Sequence, residues 1–478
     1  MKKVFYFSIS ANPWQRSALL DSAIQEASNQ SSRVTFLQAY EHESSPVDLP
    51  LSSFLDYKLA KLQNQRINRA LSNLGILLEE YSLFEPSENA GLSKTELEVG
   101  YEETIVKTRD SRPCKIHTKK LIEHYGLIYY LVYQKAFEFL KLHRPDWIFI
   151  FNGRFYREKA IWKAAQDLGI KVKFIERFSP AWEDRYFEFE SPVHSIEYRC
   201  SIMRNYWTEF SSSKSESEAK DISEKWFVDR SQGVSQAFTK EQNLDFKRNA
   251  EIRTLVTFFH SSEDELFSTD LGSTTWNDQI GFLRELQKEL SNYDNLHLLI
   301  RVHPNLKHKS SREIMRWKEF QSESIRPNVT FVMQDSSIKT YDILKESDFV
   351  VTFGSTIGVE ASFFGKPSLL VSRAFHESLN VVIPVNGMSE LLKILNSGVN
   401  QAEISKLFDN TVQYGLFHAL GGISFRHLKR KELRSQDPSF YLNGSRLGSW
   451  KLISFIRRFE GAIRKTFFPK VKLDCSCV

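Results

Sequence analysis

Residues 349–371 read FVVTFGSTIGVEASFFGKPSLLV, and the spacing of apolar residues in this stretch decides the fold. Phe349–Phe353 is an apolar run of strand length, and Ile357–Phe364 has the spacing of a short helix. Ser368–Val371 is a second apolar run, which follows the turn residues Gly-Lys-Pro. A strand, a helix and a strand in so short a stretch predict a parallel β–α–β unit.

The same alternation continues on both sides of this unit. Further strands are predicted at Arg253–Phe259, Leu296–Val302 and Val329–Val332, and further helices at Asp278–Leu290, Arg312–Gln321, Thr340–Glu346 and Ser389–Leu395. Repeated β–α units of this kind form an open parallel sheet that helices cover on both faces. We therefore predict a Rossmann-like domain over residues 250–425.

The first half of the chain repeats the pattern less regularly. Strands are predicted at Val4–Ile9, Val34–Gln38, Trp147–Phe151 and Lys171–Glu176, with a helix at Lys159–Leu168 between the last two. Residues 51–140 are rich in Leu and Tyr with helical spacing, and they predict a helical insertion. The predicted fold class is α/β, with two Rossmann-like domains facing a cleft, residues 1–210 forming the first domain and 211–249 the linker.

The composition is that of a globular protein in a reducing compartment. Of the 478 residues 41% are hydrophobic, which is far from the disordered classes. The four cysteines are too few and too scattered for a disulfide framework, and no Cys/His group has zinc-ligand spacing. No apolar run approaches the roughly 18–20 residues that span a bilayer. We therefore expect a cytoplasmic location.

The positive charge is concentrated near the C-terminus. Residues 426–472 carry thirteen Lys and Arg against three acids, although the net charge of the whole chain is only +5. Within the basic tail, residues 426–478, the segment Trp450–Phe468 has apolar residues spaced by three and four with basic residues beside them. That pattern is typical of a helix lying on an anionic membrane, here the inner face of the cytoplasmic membrane. The alternative is a helix that docks its apolar stripe on the first domain.

A nucleic-acid partner is not expected. The excess of basic residues is confined to one amphipathic segment, and no motif of a known nucleic-acid-binding fold accompanies it.

Polar side chains follow four strands of the second predicted domain, at the carboxyl ends where open parallel sheets bind ligands. The first two loops contribute His260, Ser261 and Ser262, and then Arg301, His303 and Pro304. Hydroxyls and backbone N–H groups at such turns suit phosphate or sugar hydroxyls, and the proline holds the imidazole at the sheet edge. The alternatives are an ordinary helix N-cap at 260–262 and a structural histidine at 303.

The loop after Phe349–Phe353 is the most specific of the four. Gly354 permits a tight turn, and the hydroxyls of Ser355 and Thr356 meet the beginning of a helix, whose N–H groups attract anions. Glu360 follows about one helical turn later and can return toward the loop to accept hydrogen bonds from a ribose diol. A capped helix with an exposed glutamate is the alternative. The fourth loop contributes Ser336, Ser337 and Tyr341, which either contact a base or ribose or form an ordinary N-cap.

These motifs occur in a combination that resembles the capsule polysaccharide biosynthesis family. The residues that carry the resemblance are Arg301-Val-His303-Pro304-Asn, Tyr341, Asp348, Val-Thr-Phe-Gly-Ser355-Thr356-Ile-Gly-Val-Glu360-Ala, Gly365-Lys-Pro367, Phe259–Glu265, Phe151–Arg154 and Glu176-Arg177. They lie within residues 145–180 and 250–375. The family has the two-Rossmann architecture called GT-B and is related to Kdo and sialic acid transferases with a His-Pro motif.

The resemblance implies a metal-independent glycosyltransferase, which moves a sugar from a nucleotide-linked donor to a surface-polysaccharide or glycolipid acceptor. His303, Ser355 and Thr356 would hold the donor phosphate, and Glu360 would hold the ribose. No cofactor is expected, because the nucleotide sugar is a substrate. No Asp-x-Asp motif for a metal-bound phosphate stands in a suitable place.

Transfer with inversion needs a group that takes the proton of the acceptor hydroxyl. Glu176, at the end of a strand in the first domain, is the first candidate for this base, and Glu263 and Asp264 are rivals from the other wall of the cleft. The predicted acceptor-binding residues are Asn152, Gly153 and Arg154. The alternative for Glu176 is an ion pair with Arg154 or Arg177.

Three other functions remain open. A sugar-nucleotide epimerase shares a similar Glu and Gly-Lys-Pro stretch, but the order Ser-Thr-x-Gly-x-Glu departs from the epimerase pattern. A polyol-phosphate transferase would move a different group. A non-catalytic, membrane-associated scaffold would bind the nucleotide without turnover.

Overall fold

In a computed structural model, the chain forms two β-sheets, each flanked by helices. The structure describes residues 1–9, 13–29, 31–39, 65, 67–69, 71–81, 92–108, 115–178, 185–234, 241–262, 275–276, 278–291, 293–324, 326–430, 440–442 and 445–448.

The first sheet has seven strands in the order β13-β6-β5-β4-β1-β2-β3. They are β1 (Lys2–Ser8), β2 (Ser32–Ala39), β3 (Leu77–Tyr81), β4 (Trp147–Phe151), β5 (Lys171–Phe178), β6 (Arg185–Phe189) and β13 (Ile423–Ser424). β1 to β5 pair in parallel, whereas β6 is antiparallel to both β5 and β13. The central strands β1 and β4 are buried along most of their length, which is why their sequences are continuous apolar runs.

Several long helices belong to the part of this half that the structure describes. They are α1 (Pro13–Ser28), α2 (Lys94–Thr108), α3 (Lys115–His143), α4 (Tyr156–Asp167), α5 (Ile196–Ser213) and α6 (Glu216–Ser231). The serine side chains at 195 and 215 accept backbone N–H bonds at the beginnings of α5 and α6. The polar segment Ser211–Lys220, which marks a break in composition, is therefore the point where one helix ends and the next begins.

The second sheet has six strands, all parallel, in the order β12-β11-β10-β7-β8-β9. The strands are β7 (Thr254–Phe259), β8 (Leu296–Arg301), β9 (Val329–Val332), β10 (Phe349–Thr352), β11 (Ser368–Leu370) and β12 (Ile383–Pro384). The chain runs outward from β7 to β9 and then returns to β10 on the other side of β7. This reversal creates a topological switch point between β7 and β10, where sheets of this kind bind ligands.

Helices of the second half flank this sheet, and the last of them leads back to the first sheet. They are α7 (Gln279–Leu290), α8 (Ser311–Glu323), α9 (Thr340–Glu346), α10 (Ile357–Phe363), α11 (Met388–Ser397) and α12 (Gln401–Leu420), with 3-10 turns at Pro304–His308 and Glu377–Leu379. A small antiparallel sheet follows, formed by β14 (Leu428–Arg430), β15 (Phe440–Leu442) and β16 (Ser445–Gly448).

One apolar core joins the two halves through α5, α6 and α12. The ring of Phe187 on β6 stacks on Phe417 of α12 at 4.9 Å, and Phe227 of α6 stacks on Phe363 of α10 at 4.3 Å. A Cβ on Gly415 of α12 would lie 2.0 Å from the hydroxyl oxygen of Ser223 on α6. Only glycine permits so close an approach, so α6 and α12 pack as one rigid element beside the second sheet.

The predicted fold class is confirmed, because both halves are α/β and contain largely parallel sheets. Two details differ from the sequence pattern. The segment predicted as a helical insertion also contains β3, an edge strand whose Leu77 is 48% exposed. Ile423–Ser424, assigned to the second domain, extends the first sheet by pairing with β6. The domain boundaries themselves stay predictions.

Among the described residues, no helix is long and apolar enough to cross a bilayer. The membrane-binding segment predicted at 450–468 lies outside the described residues.

Candidate functional site

The loops after β7 and β8 are joined by two histidines. The backbone N–H of His303 donates to Nδ1 of His260 at 3.2 Å, and the N–H of Asn305 donates to Nδ1 of His303 at 3.0 Å. Because Nδ1 accepts in each ring, each neutral imidazole carries its proton on Nε2. Pro304 begins the 3-10 turn directly after His303 and holds this geometry.

Both histidines are neutral at physiological pH. Burial, followed by the charges of Arg301, Lys309 and Arg230, lowers the pKa of His303 to about 4. Burial also lowers the pKa of His260 well below its ordinary value. His303 therefore presents a neutral N–H donor at the carboxyl edge of the sheet.

The serines predicted in the first loop lie beside His260. The side-chain amide of Gln279 accepts the N–H of Ser261 and donates to its carbonyl, both at 2.8 Å, which fixes the loop after β7. The hydroxyl of Ser261 is buried, and no described residue lies within hydrogen-bond distance of it. Ser262 is half-buried, and Glu263 and Asp264, the rival candidates for the base, lie outside the described residues.

Arg301 holds strand ends together. Its side chain is 1% exposed, and it donates to the backbone carbonyls of Val302, Val332 and Met333 at 2.7–3.4 Å. Its Nε also donates to Thr340 Oγ1 at 3.2 Å, so the guanidinium connects β8, β9 and the beginning of α9. Burial lowers the pKa of Arg301 to about 10.

The serines after β9 shape their own loop. The hydroxyl of Ser336 accepts the N–H of Ile338 at 3.3 Å, and the carbonyl of Ser337 accepts the N–H of Leu244 at 3.0 Å. Both serines are half-buried. The alternative of a local turn-capping serine therefore fits Ser336.

Glu360 lies in the first turn of α10, directly after the loop that follows β10. It is 2% exposed, its Oε2 accepts the Tyr341 hydroxyl at 2.5 Å, and its Oε1 accepts Nε of Arg230 at 2.7 Å. Burial and the Glu360 carboxylate raise the pKa of Tyr341 above its ordinary value. The alternative of an exposed glutamate is wrong, because Glu360 points into the protein.

The turn before Glu360 carries two hydroxyl groups, those of Ser355 and Thr356. Gly354 has φ 96°, a conformation that glycine adopts without penalty. Ser355 Oγ accepts the N–H of Ile357 at 3.5 Å, and Thr356 Oγ1 lies 3.4 Å from a terminal nitrogen of Arg230. The structure thus brings together Tyr341, Thr356 and Glu360, three residues that the sequence predicted separately.

Arg230 is the residue that sequence reasoning missed. It lies in the last turn of α6, in the segment predicted as an interdomain linker, and its guanidinium lies 5.3 Å from the centre of the Trp226 ring. Burial acts to lower the pKa of Arg230, but the charges of Glu360 and Tyr341 raise it on balance, so the guanidinium stays charged. A local signal is the aromatic pair Trp226-Phe227, in a helix whose other residues are mostly polar.

On the first sheet, Glu176 lies near the carboxyl end of β5, which continues to Phe178, and its side chain meets the loop after β4. The amide nitrogen of Asn152 donates to one carboxylate oxygen of Glu176, and the backbone N–H of Arg177 donates to the other at 3.1 Å. Asn152 Oδ1 in turn accepts the N–H of Arg154 and meets Nε2 of His194, both at 3.0 Å. The Arg177 guanidinium instead donates to Ser17 at 3.0 Å.

Burial raises the pKa of Glu176 to about 7, and hydrogen bonding to Asn152 and the charge of Arg199 offset only part of that effect. Burial, with the charges of Arg154, Arg199 and Lys159, lowers the pKa of His194 to about 3. Gly153 is required at φ 76°, because a Cβ there would lie 2.4 Å from the Phe174 ring. Of the three predicted acceptor residues, Asn152 therefore bonds to this carboxyl group and Arg154 acts on it electrostatically.

Arg199 and Tyr414 act electrostatically on the surroundings of both Glu176 and Glu360. Arg199, on α5, acts electrostatically on both Glu176 and Tyr414, and its guanidinium lies 4.7 Å from the centre of the Phe375 ring. Tyr414, on α12, is buried and is in turn acted on by Arg230 and Glu360. Arg199 and Tyr414 therefore couple the surroundings of Glu176 electrostatically to those of Glu360.

No group of three His, Cys, Asp or Glu that could hold a metal ion occurs within the part of the chain that the structure describes.

No protein-family model and no curated protein sequence matches the chain. Among solved structures it is similar to KpsC of Thermosulfurimonas dismutans, described as a beta Kdo 2,4 transferase, with 11% identity and a TM-score of 0.33 over 56% of this chain and 80% of that one. It is also similar to two UDP-GlcNAc 2-epimerases. The one from Neisseria meningitidis has 10% identity and a TM-score of 0.30 over 88% of this chain and 97% of that one. The one from Methanocaldococcus jannaschii has 11% identity and a TM-score of 0.33 over 84% and 94%.

A Kdo transferase and sugar-nucleotide epimerases are thus among the solved structures to which this chain is similar. At these identities and TM-scores, we base the proposed function on the chain's own residues.

Proposed function

We propose that the chain is a glycosyltransferase, which moves a sugar from a nucleotide-linked donor to a surface-polysaccharide or glycolipid acceptor. The observation that carries the proposal is the convergence of polar groups at the switch point of the second sheet. His303 follows β8, and Ser355 and Thr356 follow β10, so they lie along the carboxyl edge of one parallel sheet. Beside them Arg230 bonds to the buried Glu360 carboxylate and lies 3.4 Å from Thr356 Oγ1.

The donor nucleotide would bind across these loops. The Nε2–H of His303 is a hydrogen-bond donor that suits a phosphate oxygen, and it needs no proton from solvent to act at pH 7. The Ser355 and Thr356 hydroxyls suit the same phosphate. The carboxylate of Glu360 suits a ribose diol, because two adjacent hydroxyls can donate to one carboxylate.

The acceptor would bind at the first sheet, beside Glu176. A base works best when its pKa lies near the operating pH, and the pKa of Glu176 is raised to about 7. As the acceptor oxygen bonds to the anomeric carbon and the nucleotide leaves, Glu176 would take the proton of the acceptor hydroxyl. Asn152 would hold the carboxylate in place, and Arg154 would bind the acceptor.

The proposal includes metal-independent transfer at the inner face of the cytoplasmic membrane. The resemblance in motifs supports the first part, and the basic amphipathic pattern of residues 450–468 supports the second.

Substitution of His303 by Ala tests the donor site. We expect wild type to bind one of CMP, UDP, GDP or CDP in calorimetry, and His303→Ala to bind it about 10- to 100-fold more weakly, since a charge-assisted hydrogen bond is lost. Turnover of the matching nucleotide sugar should fall by at least as much, with the fold retained. His297→Ala is the matched control, because His297 lies on β8, the strand that precedes His303, and bonds to Thr330 away from these loops.

The products distinguish the alternatives. A transferase yields glycosylated acceptor and free nucleotide, an epimerase yields an isomeric sugar nucleotide without any acceptor, and a polyol-phosphate transferase leaves a different group on the acceptor. Binding without turnover would indicate a scaffold. If wild type binds none of the four nucleotides, the proposal is wrong.

A further inference from the structure

The pair between Arg230 and Glu360 occupies the carboxylate that the proposed function assigns to the ribose. Both oxygens of Glu360 are engaged, one by Arg230 and the other by Tyr341, and the side chain is 3% exposed. A ribose diol can reach this carboxylate only if one of these partners moves. The Tyr341 hydroxyl is buried behind it, whereas Arg230 lies on the outer side and is 21% exposed.

If Arg230 moves away from Glu360, it can move toward the loops after β8 and β10, which would bind the phosphate. While its Nε faces the carboxylate, a terminal nitrogen already lies 3.4 Å from Thr356 Oγ1, in the loop after β10. Its charge also acts on His303, in the loop after β8. The guanidinium thus stands between the group that would bind a ribose and the groups that would bind a phosphate.

Arg301 and Arg230, two arginines whose charges act on His303, differ in what they bind. Arg301 is buried and donates to backbone carbonyls, which it would leave unsatisfied if it moved. Arg230 bonds to side chains and lies over the ring of Trp226, a surface on which a guanidinium can slide without losing its contact. Arg230 can therefore exchange its hydrogen-bond partners at a lower cost than Arg301 can.

Separating Arg230 from Glu360 is costly unless each charge receives a new partner. A nucleoside offers hydroxyls to Glu360 but nothing to Arg230. A nucleoside diphosphate offers hydroxyls to Glu360 and, at the same time, an anion with which a guanidinium forms strong paired hydrogen bonds. Only the second ligand satisfies both groups.

We propose that the Arg230–Glu360 pair is an exchangeable lock, which makes the donor site accept nucleotides and reject nucleosides. In the empty site Arg230 covers Glu360, and on binding it transfers to the phosphate groups as the ribose takes its place. This inference rests on the proposed function, and it adds a selectivity that the function alone does not require.

Substitution of Arg230 by Met tests the lock, because it should move two affinities in opposite directions. We would measure CDP, UDP and GDP beside cytidine, uridine and guanosine by calorimetry at pH 8. For the base that wild type prefers, the diphosphate should bind about 10- to 100-fold more weakly to Arg230→Met, since an anion loses its cation. The nucleoside should bind several-fold more tightly, because Glu360 no longer has to be uncovered.

Two further variants keep the result interpretable. Arg230→Met with Glu360→Gln removes both charges of the pair, so it avoids a buried unpaired charge if the single variant fails to fold. Because His303, Ser355 and Thr356 remain, it should still prefer the diphosphate to the nucleoside, but by about 10- to 100-fold less than wild type does. Lys225→Met removes a cation from the exposed side of the same helix, where Lys225 pairs with Asp229 at 2.6 Å, and should change neither affinity.

The outcomes separate the two proposals. If wild type binds no nucleotide, the proposed function fails and the lock fails with it. If wild type binds the diphosphate but Arg230→Met weakens diphosphate and nucleoside alike, Arg230 only supports Glu360 and the lock alone is wrong. A loss of diphosphate affinity with unchanged nucleoside affinity would make Arg230 a plain phosphate ligand and would also overturn the lock.

Discussion

Glu176, on β5 of the first sheet, and Glu360, in the first turn of α10 beside the second sheet, have surroundings that differ in kind. Glu360 has a guanidinium at 2.7 Å and a tyrosine hydroxyl at 2.5 Å. Glu176 has a neutral amide and a backbone N–H, while the nearest guanidinium groups act on it without an ion pair, so burial raises its pKa to about 7. A paired carboxylate is suited to binding, and a desolvated carboxyl near its pKa is suited to moving a proton.

Substitution of Glu176 by Gln should give the largest effect. If Glu176 is the base, turnover falls about 10²- to 10⁴-fold, while nucleotide affinity stays within about twofold of wild type. Steady-state turnover and calorimetry on the same preparations would measure both. Glu188→Gln is the control, since Glu188 pairs with Ile175 across the sheet and bonds to Ser22 and Lys173.

The same variant tests the cause of the raised pKa. A carboxyl whose folded-state pKa is raised stabilises the fold most below its unfolded value near 4.5, and loses that contribution as the pH rises through about 7. Unfolding should therefore show Glu176→Gln gaining stability relative to wild type between those two pH values. A variant that loses stability over this range would contradict burial as the cause.

Substitution of Glu360 by Gln should give the next largest effect, a decrease in the free energy of unfolding. The change leaves the guanidinium of Arg230 without its counter-charge, and we expect a loss of about 2–3 kcal/mol in chemical denaturation at pH 7. Glu377→Gln is a suitable control, because its partner Arg373 is 40% exposed and such pairs contribute less than about 1 kcal/mol. Equal losses in the two variants would contradict the contrast between a buried pair and an exposed one.

The sequence predicted the features that depend on local periodicity, but not those that depend on packing between distant segments. The strands and helices of the second half, and the gathering of His303, Thr356 and Glu360 at one edge, follow from local periodicity, because parallel strands end on the same side. Arg230 could not be predicted, since it reaches Glu360 through the packing of α6 on α12. The raised pKa of Glu176 likewise depends on burial by distant segments, which no local pattern encodes.

Strand β3 was missed for a different physical reason. Leu77–Tyr81 is an edge strand with Leu77 about half exposed, so it lacks both the continuous apolar run of a central strand and a clear alternation. The surrounding residues favour helix by composition. Pairing with β2, rather than intrinsic preference, makes this segment a strand.

Substitution of Asn152 by Gly should give the smallest effect, because it removes the amide that bonds to Glu176, together with its bonds to the Arg154 N–H and to His194. Asn152 has φ 58°, which glycine adopts without strain, so the change removes the amide but keeps the turn. The amide lowers the pKa of Glu176, and its loss should move the pH at which turnover is half-maximal upward from about 7. The control is Asn380→Gly, at φ 54°, because its side chain lies outside both centres and the same backbone effect should leave the pH profile unchanged. If the pH profile of turnover does not shift in Asn152→Gly, the group that titrates in the reaction is not Glu176. The contrast between Glu360 as a binding residue and Glu176 as the proton acceptor would then be wrong.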